Sequence, residues 1–105
     1  MDIISIDELH DRIQQLGKND LILDVRSPEE YLSGYIEGSQ NTPHEEVFGI
    51  AEDLKAYDTI YVHCKMGGRA KMASEALIKM GLDNVVCVGK GGMERWSQMG
   101  WPVIK

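Results

Sequence analysis

Thr59-Ile60-Tyr61-Val62-His63-Cys64-Lys65-Met66-Gly67-Gly68-Arg69-Ala70 is the stretch on which the reading of this chain turns. Thr59 to His63 is apolar and β-branched, the pattern of a strand buried on both faces. Gly67-Gly68 breaks that run. From Ala70 onward, Ala70, Ala73, Leu77 and Met80 share one face of a helix that Gly81 ends. Cys64 therefore stands on a short loop between a strand end and a helix N-terminus. The free N–H groups of a first helical turn and the helix dipole favour an anion there. Lys65 and Arg69 add formal positive charge. A thiol in that setting is expected to have a lowered pKa and to act as a nucleophile.

Working outward, Leu21-Ile22-Leu23-Asp24-Val25 is a second continuous apolar strand, and Asn84-Val85-Val86-Cys87-Val88 a third. Ser39 to Asn41 gives at most a brief strand. Ser5-Ile6-Asp7-Glu8 reads as a capping box, with Ile4 and Leu9 placed for a hydrophobic staple. Leu9, Ile13 and Leu16 continue the helix until Gly17 stops it. Ser27-Pro28-Glu29-Glu30 starts a short helix, with serine as cap and proline at its first position. Pro43 to Leu54 is weakly helical and interrupted at Gly49. Gly91-Gly92 opens a last helix that carries Trp96. Strands alternating with helices predict an α/β fold with a mostly parallel sheet covered on both faces. Ligands of such sheets bind beyond the carboxyl ends of the strands. Asp24-Val25-Arg26 and Cys64 both lie at such ends and predict one shared site.

Composition narrows the function. The chain has 105 residues, enough for a single domain over 1–105. A net charge of −6 argues against nucleic acid or an anionic membrane as partner. No apolar stretch approaches the ~20 residues of a membrane helix, and the N-terminus does not read as a signal peptide, so the expected address is the cytoplasm. Between Thr59 and Ser74 there is no acidic residue, while Lys65, Arg69 and Lys71 fall in that window. A local positive site in an acidic chain predicts a small anionic ligand. The histidines (His10, His44, His63) and cysteines (Cys64, Cys87) have no metal-ligand spacing, so neither a metal nor another cofactor is expected.

With these residues in place, the chain resembles a rhodanese domain over nearly its whole length. Three segments carry the resemblance: Leu23-Asp24-Val25-Arg26-Ser27-Pro28-Glu29-Glu30-Tyr31 with its continuation to Pro43, Cys64 to Ala70, and Gly91-Gly92-Met93-Glu94-Arg95-Trp96 ending in Gly100-Trp101-Pro102-Val103. The resemblance implies a five-stranded, mostly parallel sheet flanked by helices. It also implies thiosulfate sulfurtransferase activity through a persulfide on Cys64, with residues 64–69 as the active loop. Thiosulfate or a persulfide would be the anionic donor. A thiol, cyanide or a sulfur-accepting protein would be the acceptor. Tyr35 stands where the family often has histidine, and Met66 where a small or hydroxyl residue is common. The second departure bears on which donor fits.

Within that loop, Cys64 is the candidate nucleophile. Lys65, Met66, Gly67, Gly68 and Arg69 are the candidate substrate-binding residues. Gly67 and Gly68 let backbone N–H groups turn towards the sulfur. Arg69 is read in two ways, as a contact to the substrate anion or as the partner of an acid that stiffens the loop. Asp24 and Arg26 are supporting residues, read chiefly as a structural ion pair or as caps for the loop. Cys87 reads as core, with a resolving disulfide to Cys64 as the alternative. His63 either tunes the nucleophile or packs locally. Two other functions compete. One is phosphatase or arsenate-reductase chemistry, whose related loops place one residue more between cysteine and arginine than the four found here. The other is a non-catalytic interaction or sulfur-relay module.

Overall fold

Five strands alternate with helices along the chain in the computed structural model, which describes residues Met1–Lys105. They are β1 (Asp2–Ser5), β2 (Asp20–Asp24), β3 (Gln40–Asn41), β4 (Thr59–His63) and β5 (Val85–Lys90). All pair in parallel, in the order β1-β5-β4-β2-β3. The apolar runs of β2 and β4 lie in the middle of this order, where both faces are covered. Leu23, Ile60 and Val62 are wholly buried there.

Alternation along the strands sends side chains into two cores. Leu21, Leu23, Ile60, Val62, Val85 and Cys87 meet α4 (Gly68–Lys79), a 3-10 segment (His44–Ile50) and α3 (Ala51–Leu54) on one side. Ile4, Ile22, Tyr61 and Val88 meet α1 (Ile6–Arg12) and α5 (Gly92–Gln98) on the other. Three of the four residues of the predicted face are buried, Ala70, Ala73 and Leu77 each at most 1% exposed, whereas Met80 lies past the end of α4 as its C-cap and is 41% exposed.

Both serine caps form. The Ser5 side chain accepts from the Glu8 amide, and Glu8 reaches back to the Ser5 amide. Ser27 and Glu30 close the same box at the start of α2 (Pro28–Leu32). Two elements differ from the sequence reading. Asp2–Ser5, to which no strand is assigned above, is the edge strand β1, with Ile3 opposite Cys87 and Ile4 opposite Val88. Its hydrogen-bond partners lie over 80 residues away, and Ile3 stays exposed, so no local alternation marks it. The first α-helix also ends at Arg12 rather than running to Leu16. Ile13–Gln15 tightens to 3-10 geometry.

Candidate active site

The last strand residues of β2 and β4 face each other, Asp24 opposite His63, so the segments that follow them, 25–27 and 64–69, emerge side by side. Cys64 leaves β4 and the chain turns at Gly67, whose φ of +119° is open to glycine but strained for other residues. That turn caps α4 and brings two amides onto the sulfur. Gly67 N–H donates to Cys64 Sγ at 3.0 Å and Ala70 N–H at 3.3 Å. Both favour a negative sulfur over a neutral one.

The loop is held from behind by the β5–α5 turn. Met93 N–H donates to the Cys64 carbonyl at 2.9 Å and Glu94 N–H to the Lys65 carbonyl at 3.0 Å. These are donors of the first turn of α5, which has no side-chain cap. Loop carbonyls thus satisfy one helix's orphan amides while the loop's own amides turn to the sulfur. The approach is so close that a Cβ on Gly92 would overlap both the Cys64 and Lys65 carbonyl oxygens, and one on Gly67 would overlap the Gly89 carbonyl.

Asp24 and Arg26 form a buried fork beneath the loop. Arg26 Nη2 donates to Asp24 Oδ2 at 2.7 Å, Nε to both carboxylate oxygens at 3.0 Å, and Nη2 also to the Gly34 carbonyl at 2.8 Å. Asn41 Nδ2 bridges the Asp24 and Arg26 carbonyls. This network fixes where β2 ends. His63 is wholly buried, with Nε2 3.8 Å from Asp24 Oδ2. Burial holds its pKa below the usual histidine value, against the opposing pull of Asp24, so the ring stays neutral.

Arg69 projects from the first turn of α4 towards α2. Its Nη1 and Nη2 donate to Glu30 Oε1 and Oε2 at 2.6 and 2.9 Å. Glu30 is the residue that the sequence reading missed. It appears there only within the Ser27 helix start and the first segment of the family resemblance, with no role of its own, and its partner is 39 residues away. The signal available was the phase of α2, which turns Glu30 towards the strand ends as it closes the box with Ser27. The hydrogen bond to Arg69 is the main cause that lowers the Glu30 pKa from 4.5 to about 2. The stability this pair contributes is complete above pH 4.5 and drains away as pH falls towards 2. It is partly exposed and worth under about 1 kcal/mol. Melting temperatures of the wild-type and Glu30→Gln chains should converge over that interval. A gap that stays constant with pH would show that the pair adds no stability.

The remaining loop residues face outward. Lys65, Met66 and Gly68 are exposed, Met66 at 63%. Beside them opens a groove of about 440 Å³, lined by Arg26, Glu30, Lys65, Met93 and Glu94 among others. Cys64, next to the groove residue Lys65 in the chain, is 1% exposed. The sequence reading implies a more open thiol. The two amides and the close α5 turn draw the sulfur inward, so a reactant must bring its own atom down to it. Cys87 is also buried and unbonded to Cys64, and desolvation raises its pKa. No helix is long and apolar enough to cross a membrane.

Comparison with known proteins agrees with this geometry. "Putative sulfur carrier protein YrkF" of Bacillus subtilis (strain 168) is 40% identical over 76 residues, covering 72% of this chain and 40% of its own. "Adenylyltransferase and sulfurtransferase UBA4" of Candida albicans is 29% identical over 96 residues, covering 84% of this chain and 22% of its own. The chain thus spans less than half the length of these relatives. A crystal structure of a rhodanese-related protein from Thermoplasma volcanium superposes with a TM-score of 0.82 at 32% identity, covering 99% of this chain and 98% of that one. Residues 5–99 match the family described as the Rhodanese-like domain, and the chain, with its cysteine loop between β4 and α4, belongs to that family.

Proposed function

We propose that the chain is a sulfurtransferase that carries sulfur as a persulfide on Cys64. The observation that carries this reading is the pair of amides, Gly67 and Ala70, directed at the Cys64 sulfur at a helix N-terminus. The thiolate attacks the outer sulfur of thiosulfate or a similar donor. A new S–S bond forms on Cys64, the donor's S–S bond breaks, and its electron pair leaves with sulfite. The charge and proton count are unchanged: thiolate and dianion give persulfide anion and dianion. An acceptor thiolate or cyanide then takes the outer sulfur and returns Cys64 to the thiolate. The attacking species is the thiolate, so the transfer step itself needs no general base. The same amides hold negative charge on either form of the sulfur, as an oxyanion hole does for an acyl intermediate. Lys65 supplies positive potential at the groove. Gly67 and Gly68 shape the ring, and Met66 stands at its outer edge. Burial of Cys64 keeps water and oxidants from the persulfide between the two half-reactions.

The relatives named for sulfur carriage and sulfur transfer support the reading. The engagement of Arg69 by Glu30 weighs against phosphate-ester chemistry, which needs a free guanidinium for a tetrahedral oxyanion. Intact-mass spectrometry after incubation with thiosulfate tests the proposal. One added sulfur atom, lost again on adding cyanide, is the expected result. An unchanged mass with thiosulfate and with an organic persulfide would favour a binding module.

A further inference from the structure

The active loop's only arginine is not free. Each of its terminal nitrogens donates to one oxygen of a single carboxylate, at 2.6 and 2.9 Å, so its charge is paired. That carboxylate is anchored in turn: Glu30 Oε1 also accepts from the Ser27 amide at 3.0 Å, as part of the cap of α2. Glu30 therefore cannot swing away without opening a helix cap. The other guanidinium, Arg26, which lines the groove, is paired with Asp24 through Nε and Nη2. What remains unpaired at the groove is one cation, Lys65, opposite one carboxylate, Glu94. Of the three cations in the positive window over residues 59–74, Arg69 is thus neutralised by an acid from α2. A site built to attract a dianion would leave a guanidinium exposed to it.

We propose that Glu30 is a specificity-determining residue: by pairing with Arg69 it neutralises the positive charge the loop would offer a dianionic donor and matches the site to sulfur donors of low net charge, such as an organic persulfide. The inference rests on the sulfurtransferase reading for its donors, and on geometry alone for its charge balance. A donor such as thiosulfate meets the Glu30 carboxylate at the mouth of the groove without a free guanidinium to offset it. An uncharged thiol's persulfide, such as that of 2-mercaptoethanol, carries at most one charge, so the same carboxylate costs it far less. The depressed Glu30 pKa means that the fork stays ionised at every physiological pH, so the discrimination is constant rather than switched.

Two measurements test this, with Glu30→Gln as the main variant, since glutamine keeps the shape and one acceptor for Ser27. In a Cys64→Ser background, where no transfer can occur, thiosulfate is titrated while the Gly67 and Ala70 amide chemical shifts are followed. Glu30→Gln should tighten thiosulfate binding about tenfold, and adding Arg69→Gln should reverse the gain. With Cys64 intact, the ratio of thiosulfate KM to 2-mercaptoethanol-persulfide KM should fall about tenfold in Glu30→Gln. Glu30→Asp, which keeps a negative charge beside Arg69, should change that ratio less than twofold. Unchanged or weaker thiosulfate binding in Glu30→Gln, or equal shifts for both donors, overturns the proposal. If the Cys64-containing chain takes up sulfur from neither donor, the enzymatic reading falls, while the binding titration still decides the role of Glu30.

Discussion

Replacing Cys64 with serine is expected to cut the rate of sulfur uptake at least about a thousandfold, to the limit of detection. Serine at that position keeps the geometry: its hydroxyl can accept from Gly67 and Ala70 as the sulfur does, so the fold should lose no more than about 1 kcal/mol. What it loses is the chemistry. An alcohol is not ionised at neutral pH, no base stands ready to deprotonate it, and oxygen does not form the chain of sulfur atoms that the transfer needs. Intact mass on the purified variant, with unfolding curves alongside, separates lost chemistry from lost structure. Cys87→Ser is the matched control. Cys87 is wholly buried, and desolvation pushes its thiol away from the reactive form. Its replacement should leave uptake within about threefold of wild type. If sulfur still accumulates on the Cys64→Ser chain, Cys64 is not the carrier and the mechanism above is wrong.

The parts of this architecture that were legible in the sequence are those whose cause is local. β2 and β4 announce themselves because a strand covered on both faces must be apolar at every position, and Leu21-Ile22-Leu23 and Ile60-Tyr61-Val62 are. The caps at Ser5 and Ser27 are written within four residues, so both boxes could be read and both form. Cys64 was legible for the same reason: strand, glycines and helix start follow one another directly. β1 was hidden because its stabilising partner is β5, at the far end of the chain, and only Ile4 of its apolar residues is buried. The state of Arg69 was hidden too. Two roles were open to it from the sequence, and only the position of α2 against α4 brings Glu30 to it. The local count of charges over residues 59–74 did not show that Arg69 is paired, because a site draws its charge from every strand end and not from one segment. The grip of the β5–α5 turn on the loop was likewise out of reach, although Gly91-Gly92 was visible as a helix start. That a carbonyl would come within overlap distance of a Gly92 side chain is a property of two segments packed together.

That packing makes adjacent glycines respond in opposite ways. Gly67→Ala should destabilise the chain by roughly 2–4 kcal/mol and slow sulfur uptake at least about a hundredfold. Alanine at φ +119° is strained whatever the space, and its Cβ would overlap the Gly89 carbonyl, a backbone atom of β5 that cannot rotate aside. Relief requires the turn to back away from β5, and that movement takes the Gly67 amide off the Cys64 sulfur. One displaced donor is enough for the loss in rate, because the amide stabilises charge in a site where water does not replace it. Gly68 sits one residue further on, inside α4, with no heavy atom near its absent Cβ. There Gly68→Ala removes only the entropic penalty of glycine in a helix, and should raise stability by about 0.5–1 kcal/mol. Denaturant unfolding of the two variants against the wild type gives the comparison. Equal losses in both would mean that the turn tolerates no side chain anywhere and that the contact with Gly89 is not what constrains it. Full uptake in Gly67→Ala would mean that the amide is not what holds the sulfur's charge.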